Sequence, residues 1–295
     1  MRYTVSHRTT YSYASAVDLA YHAAHLRPRA LRGQSVSGCE ILIDPPPSSS
    51  GRHLDHYGNA VDAFRIDSPH TVLTVEMRAE IDVALPAPPD AGDTPPWESV
   101  RDALSQAFPD SVGAAEFIHP SPLVQTIAAA RAYALPSFAS GRPVLAAALD
   151  LTRRVHEDFA YTPGATDVST PLEEVFARRV GVCQDFAHVE IAALRALGLP
   201  AAYVSGYLRT YPSEGAAELR GADASHAWIA VWCGVEAGWV HLDPTNDLVA
   251  HEEHVVVAWG RDFSDVSPVR GVILGGGKHT YGVEVELRPL PPPEG

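Results

Sequence analysis

The chain has 295 residues, 46% of them hydrophobic, and its 36 acidic against 22 basic residues give a formal net charge of -14. This length accommodates one large or two moderate cores, and we expect two domains because domains usually run to roughly 100–200 residues. Nucleic acid is not an expected partner, because phosphate binding depends on clustered cations and the basic residues here form no long run.

The sequence indicates neither a disulfide-rich secreted protein nor a membrane protein. Three cysteines, Cys39, Cys183 and Cys233, make an odd number, which argues against a disulfide framework. The first residues contain no apolar leader segment, and no uncharged apolar run approaches roughly 18 residues. We therefore expect a cytoplasmic protein that has no membrane partner.

The N-terminal part is predicted to be rich in strands. Residues 1–84 alternate apolar and polar side chains in several stretches, most clearly between Thr71 and Leu85, as strands with one buried face do. Residues 86–96 are too rich in proline for a helix or a sheet and indicate a stiff linker. The sequence therefore predicts a β-sandwich-like domain at residues 1–96 that ends in this linker.

Helices are predicted after the linker. Residues 122–133 and 143–158 are rich in alanine and leucine, and each has a proline near its start, where the missing N–H costs no helical hydrogen bond. We assign residues 97–290 to a second domain of mixed helices and strands. The tail at residues 291–295 is expected to be disordered.

A further helix is predicted to begin at Cys183 and to run over residues 183–197. A thiol at a helix start feels the partial positive charge of the free backbone N–H groups, which favours the thiolate, the form that attacks carbonyl carbon. At ~100° per residue, Cys183 and Glu190 fall on the apolar face, while Asp185 and His188 fall on the opposite, polar side. We expect Glu190 to pair with a cation or a hydroxyl, with a substrate-facing role as the alternative.

Two strands follow the cysteine helix and are predicted to form a hairpin. They cover residues 225–233 and 238–243. If Gly234 opens a two-residue type II′ turn, His226 lies directly opposite Asp243. A four-residue loop would shift the pairing by two residues and leave the two as diagonal neighbours. In either register the carboxylate can hold the imidazole.

These residues form a candidate catalytic triad. His226 would take the proton of the Cys183 thiol, and Asp243 would fix the tautomer of His226 and stabilise its cation. The backbone N–H of Cys183 is the expected donor to the oxyanion. Gln184, beside the thiol, and Trp228, on the His226 face of its strand, are the candidate substrate-binding residues.

Several signals are weaker. His241 shares the face of Asp243 and is the rival residue for orienting His226. His251 and His254 could share a metal ion, but they do not match the HExxH pattern and more simply belong to a solvated turn. Residues 213–224 are predicted to form a loop that could gate access to the site. We expect neither a metal nor a cofactor.

The motifs at residues 181–188, 201–207, 226–228 and 241–246 resemble, in order and spacing, the core of bacterial transglutaminase-like cysteine enzymes. The resemblance implies an α+β fold with a papain-like core, in which a helix bearing the cysteine packs on an antiparallel sheet bearing the histidine and the aspartate. It also implies a catalytic role for Cys183, His226 and Asp243. Members are variously described as cross-linking enzymes, peptidases or enzymes of unknown specificity.

The resemblance extends to both ends of the chain. Residues 9–13, 55–59 and 69–70 resemble the β-rich domain often attached to such cores, and residues 260–266 and 275–277 resemble its C-terminal continuation. Calcium is needed by some animal relatives, but no Asp-rich loop with a spaced glutamate is present here. The domain at residues 97–290 is therefore expected to be the transglutaminase-like catalytic domain.

The leading functional hypothesis is thiol-dependent acyl transfer or hydrolysis at amide bonds of peptides or glutamine side chains, through a thioester on Cys183. The substrate would be a peptide or protein, and the acceptor water or a primary amine. The alternative is a catalytically inactive module that keeps the cleft and binds peptides or amines. A third hypothesis is a metal-dependent hydrolase that uses His251 and His254.

Overall fold

The computed structural model of the protein describes residues 1–104, 112–209 and 225–291. The predicted gating loop at 213–224 and the last four residues of the predicted disordered tail lie outside this part. The strands are β1 (Arg2–Ala24), β2 (Gln34–Asp44), β3 (Ser49–Leu54), β4 (Ala60–Ile66), β5 (His70–Val83), β6 (Ala160–Tyr161), β7 (Val180–Gly181), β8 (Ala201–Leu208), β9 (Ser225–Trp232), β10 (Trp239–Asp243), β11 (Leu248–Val249), β12 (His254–Gly260), β13 (Val269–Gly275) and β14 (His279–Pro289).

Most of the helices lie between the two large sheets in the sequence. They are α1 (Trp97–Leu104), α2 (Val112–Ala115), α3 (Ala128–Ala134), α4 (Val144–Asp158), α5 (Leu172–Arg178), α6 (Cys183–Arg195) and α7 (Phe263–Val266). In the described part of the chain, three short 3₁₀ turns accompany them at Ala91–Asp93, Glu116–Ile118 and Leu135–Ser137. None of the helices in the described ranges is long and apolar enough to cross a bilayer.

The N-terminal sheet has seven antiparallel strands in a curled arrangement. The long strand β1 belongs to two halves: its first part pairs with β5 and β14, and its last part pairs with β4 and β13. The side chains of this sheet that point inward, such as Tyr3, Leu73 and Met77, are fully buried. The sheet thus has one core face, as the alternating sequence pattern predicted.

The last two strands correct the predicted domain boundary. We assigned all of residues 97–290 to the second domain, but β13 and β14 both pair with β1 and complete the N-terminal sheet. Alternating apolar residues identify a strand without indicating which sheet it will join. The second unit is therefore inserted in the sequence between strands of the N-terminal sheet.

The second unit confirms the predicted architecture. Its five-stranded antiparallel sheet has the order β11-β10-β9-β8-β12, with α6 packed against β8 and β9. On its other sides α6 contacts α3, α4 and α5. The helix that begins at Cys183 therefore packs on the sheet that carries His226 and Asp243.

Helix α6 is more buried than its pattern predicted. We placed Asp185 and His188 on a polar outer side, but both are buried, as is Arg195 at the end of the helix. Arg195 donates to the carbonyls of Ala201 and Arg261 at 2.8 and 2.7 Å, respectively. Hydrogen bonds of this kind allow polar residues to lie in a core.

Two side-chain amides join the N-terminal sheet to the outer edge of β12. Gln34 donates to the carbonyl of Val256 at 2.7 Å and accepts its N–H at 2.8 Å. Asn59 makes the same double contact with Trp259, at 2.7 and 3.0 Å. The two amides act as a neighbouring strand would, so the edge strand of the second sheet is covered.

Candidate active site

Cys183 is the first residue of α6 and is half-buried. Ahead of it, the carboxylate of Asp185 accepts the N–H of Val182 at 2.8 Å and the hydroxyl of Thr166 at 2.7 Å. This close approach requires glycine at position 181, because a Cβ on Gly181 would lie 2.6 Å from the Asp185 side chain. The start of the helix is therefore fixed, and the thiol lies at its positive end.

A short parallel strand pair lies beside the thiol. Tyr161 on β6 pairs with Gly181 on β7, and the N–H of Thr162 donates to the Gly181 carbonyl at 2.8 Å. The Tyr161 ring is 50% exposed and meets the ring of Phe186 edge-on, with 6.2 Å between centroids. The strand partner of Tyr161 is thus only two residues before Cys183.

The hairpin between β9 and β10 sets the relation between His226 and Asp243. The N–H of Cys233 donates to the Gly238 carbonyl at 2.9 Å, which leaves a four-residue loop. The predicted two-residue turn is therefore wrong, and the four-residue alternative is correct. Gly234 and Gly238 both have positive φ, 99° and 67°, so the reversal is distributed over the longer loop.

The structure brings the three predicted triad residues together. His226 Nε2 lies 2.8 Å from Asp243 Oδ2, and the Cys183 thiol is close enough to the His226 ring to raise its pKa. Because Asp243 engages Nε2, Nδ1 is the nitrogen left for the sulfur. Burial lowers the pKa of His226, but its interactions with Asp243 and Cys183 outweigh burial and raise the pKa to about 10. His226 is thus held as a cation between the carboxylate and the sulfur.

Asp243 is completely buried and accepts several hydrogen bonds. Its Oδ1 accepts the backbone N–H groups of Thr245 and Asn246 at 2.9 and 3.3 Å, and its Oδ2 accepts the Asn246 side-chain amide at 2.7 Å. Burial raises the pKa of Asp243, but the bonds from His226 and His254 help to hold it well below its usual range. The carboxylate therefore stays ionised inside the protein.

His254 is a second histidine on the same carboxylate, and the sequence did not predict this contact. Its Nε2 lies 3.2 Å from Asp243 Oδ2, and its side chain is fully buried. Within the described residues, His226, Asp243 and His254 are the one group of three whose ligand atoms, within 4.8 Å of one another, could hold a metal ion. This group is not the metal pair that the sequence suggested, His251 and His254, because His251 does not belong to it. The short nitrogen–oxygen contacts have hydrogen-bonding geometry.

Trp228 packs against the ring of His226. It is fully buried, so it presents no surface to a substrate in this structure, contrary to our prediction. Its indole stacks on His226, with 6.0 Å between centroids, and donates to His241 Nδ1 at 3.1 Å. His241 therefore holds Trp228 and does not orient His226. Gln184, the other predicted substrate-binding residue, is half-buried next to Cys183.

Glu190 is fully buried on α6, and the hydroxyl partner that we expected is Thr152, which donates to Oε1 at 2.7 Å. Within the described residues, Oε2 has no hydrogen-bond partner. Burial is the main cause that raises the pKa of Glu190, to about 8, and the negative charge of Asp243 adds to it. Glu190 is therefore protonated near neutral pH, and Asp243 is the ionised carboxylate of the two.

Both units of the chain match known protein families. Residues 3–82 match the bacterial transglutaminase-like N-terminal region, and residues 131–244 match the transglutaminase-like superfamily. An uncharacterized protein of Mycobacterium tuberculosis is 40% identical over 98% of this chain and 93% of its own length. A protein-glutamine gamma-glutamyltransferase of Pseudomonas aeruginosa is 36% identical over 37% of this chain and 17% of its own length.

The fold is also found in a solved structure. A crystal structure from Cytophaga hutchinsonii, of a protein provisionally named a cysteine protease, matches with a TM-score of 0.72 and 19% identity, covering 100% of this chain and 92% of the other. At this identity the match concerns the fold. The two family matches, to residues 3–82 and 131–244, show that the chain belongs to the transglutaminase-like family and carries the bacterial N-terminal region of that family.

Proposed function

We propose that the protein is a thiol enzyme that transfers or hydrolyses acyl groups at amide bonds of peptides or glutamine side chains. The observation that carries this proposal is the convergence of three side chains: His226 lies 2.8 Å from the buried carboxylate of Asp243, and the Cys183 thiol acts on the same ring. A cationic imidazole beside a sulfur at a helix start favours the thiolate, and a buried, ionised carboxylate keeps the imidazole cationic. Together these are the requirements for a nucleophile that attacks carbonyl carbon.

The reaction follows from this arrangement. The sulfur of Cys183 forms a bond to the substrate carbonyl carbon, and the charge on the oxygen is stabilised by the backbone N–H of Cys183. The carbon–nitrogen bond then breaks, and the leaving amine takes a proton from His226. Water or a primary amine attacks the resulting thioester, gives its proton to His226, and releases the acyl group from the sulfur.

The family supports a peptide or protein as substrate. The similarity to the Pseudomonas aeruginosa protein-glutamine gamma-glutamyltransferase favours glutamine side chains as acyl donors. That similarity spans a minor part of both chains. We therefore propose acyl transfer as the reaction class, with water and amines as competing acceptors.

Mass spectrometry of the acyl-enzyme tests this proposal. The protein is incubated with a library of glutamine-containing peptides, with and without a primary amine, and is then quenched in acid. We expect an acyl adduct on Cys183 and, when the amine is present, amine-modified peptides. The matched control is Cys183→Ala, in which Cys39 and Cys233 remain.

Two results would contradict the proposal. One is turnover of the peptides by Cys183→Ala at the wild-type rate. The other is a lack of both adduct and product across the library in the wild-type protein, which would favour the inactive binding module. Binding of the same peptides without turnover, measured by calorimetry, would then support that alternative.

A further inference from the structure

His254 has a place in the site that the triad alone does not explain, because a fully buried histidine lies on the one carboxylate that the proposed chemistry needs. Asp243 Oδ2 accepts from the Nε2 atoms of both His226 and His254, at 2.8 and 3.2 Å. The two rings are 6.3 Å apart between centroids, so they reach the oxygen from different sides. These two hydrogen bonds therefore fix the orientation of the Asp243 carboxylate and stabilise its negative charge.

The hydrogen bonds around His254 identify its tautomer. The backbone N–H of His251 donates to His254 Nδ1 at 3.3 Å. Since Nδ1 accepts, the single ring proton of a neutral His254 lies on Nε2, which faces Asp243. Burial lowers the pKa of His254, more than its bond to Asp243 raises it, so this histidine stays neutral.

The ring of His254 packs between two other aromatic rings. Its ring meets the ring of Trp228 edge-on at 5.2 Å and that of His251 at 5.0 Å between centroids. The titratable groups that face Asp243 are His226 on β9, His254 on β12 and the protonated Glu190 on α6. Of these, only His254 is a neutral donor bonded to the carboxylate.

We propose that His254 is a positioning residue, which donates its Nε2–H to Asp243 and so keeps this carboxylate ionised and turned toward His226. A neutral donor suits this role, because it stabilises the negative charge without cancelling the charge that His226 requires. A cation at the same place would compete with His226 for Asp243. This inference rests on the proposed function, in which His226 must be held as a cation beside Cys183.

The sequence offers well-matched variants for a test. His254→Phe keeps a ring of similar volume without a donor, and His254→Gln keeps an N–H donor. His7→Phe is the control, because His7 is also a buried histidine but it bonds Tyr207 and Thr9 and not Asp243. For each variant, the rate of Cys183 alkylation by iodoacetamide is measured as a function of pH.

The donor fixes the Asp243 carboxylate toward His226, so its removal weakens the hold on the imidazole cation that favours the Cys183 thiolate. We therefore expect His254→Phe to lower the rate of Cys183 alkylation at neutral pH several-fold, and His254→Gln to reverse part of this change. His7→Phe is expected to lower the melting temperature without slowing the alkylation of Cys183. A folded His254→Phe that is alkylated at the wild-type rate across the pH range would overturn the proposal.

A second measurement does not depend on any variant folding. Long-range ¹H–¹⁵N NMR spectra of the wild-type protein with labelled histidine report the tautomer of each ring. We expect His254 to be neutral with its proton on Nε2, and a proton on Nδ1 or a cationic ring near neutral pH would refute the assignment. Should the wild-type thiol show no enhanced reactivity, the proposed function fails, while the tautomer still decides the role of His254.

Discussion

Thr152 and Glu190 are joined by a 2.7 Å hydrogen bond inside the core, next to the helix face that carries the candidate nucleophile. Because burial raises the pKa of Glu190 to about 8 from 4.5, the folded protein keeps a proton there that the unfolded chain has lost. The stabilising contribution of this proton is complete below the unfolded pKa. It declines as the pH rises from 4.5 toward about 8.

Glu190→Gln should therefore flatten the dependence of stability on pH. The amide is neutral at every pH, so the variant is expected to gain stability relative to the wild type between about pH 5 and pH 8. The gain is roughly 1.4 kcal/mol for every pH unit over which the folded wild-type protein holds a proton that its unfolded chain has lost. Urea denaturation at several pH values measures this difference. A constant difference between the two proteins across this range would contradict the assignment of a protonated Glu190.

The site also depends on a glycine in the neighbouring strand. Gly206 pairs with His226, and a Cβ on Gly206 would lie 2.1 Å from the carbonyl of Val255 and 2.4 Å from the Trp228 ring. We expect Gly206→Ala to cost roughly 3 kcal/mol in the free energy of unfolding, because an overpacked core must shift. The control is Gly282→Ala on β14, where a Cβ meets nothing within 4 Å. Equal losses in both variants would contradict this explanation.

The contact between the two units has its own test. Asn59→Ala removes the amide that pairs with both backbone groups of Trp259, and we expect a loss of about 2 kcal/mol because these groups lose their partner. Hydrogen exchange should then be faster in β12 than in β9. Ser37→Ala, which removes an exposed hydroxyl from the N-terminal sheet, is the control. Unchanged exchange in β12 would argue against the amide as the link.

Tyr161 is expected to contact the substrate. Tyr161 is 50% exposed and pairs with Gly181, two residues before Cys183, so covering it with an acyl donor would bury apolar surface. We expect Tyr161→Ala to raise KM about tenfold with a small change in kcat, and Tyr161→Phe to resemble the wild type. Steady-state kinetics with a peptide identified by mass spectrometry measure both constants. An effect confined to kcat would indicate a different role.

The part of the site that depends on local patterns could be predicted from the sequence. A thiol between a glycine turn and a helix, and a hairpin with two possible registers, were enough to bring Cys183, His226 and Asp243 into one prediction. The register itself was left open, because the loop length depends on the conformations that Gly234 and Gly238 adopt together. The Asp243 carboxylate can reach His226 both as a direct and as a diagonal neighbour. The predicted contact between them therefore did not depend on the register.

The contacts that the sequence did not indicate are those between distant strands. His254 begins β12, and Asp243 ends β10, with β8 and β9 between them in the sheet. Pairing rules concern adjacent strands, so they could not connect these two residues. The spacing of His251 and His254 suggests a metal pair and does not indicate a contact with Asp243. Burial on both sides of α6 was missed for a similar reason, since one periodic sequence cannot show how many elements surround a helix.

The most direct test of the central claim is the rate at which iodoacetamide alkylates each cysteine as the pH is lowered. If His226 is a cation hydrogen-bonded to Cys183, this thiol should react faster than Cys39 and Cys233 at neutral pH and stay reactive well into the acidic range. His226→Ala should abolish that advantage. A Cys183 that reacts no faster than the other two, or equally fast with and without His226, would contradict the account.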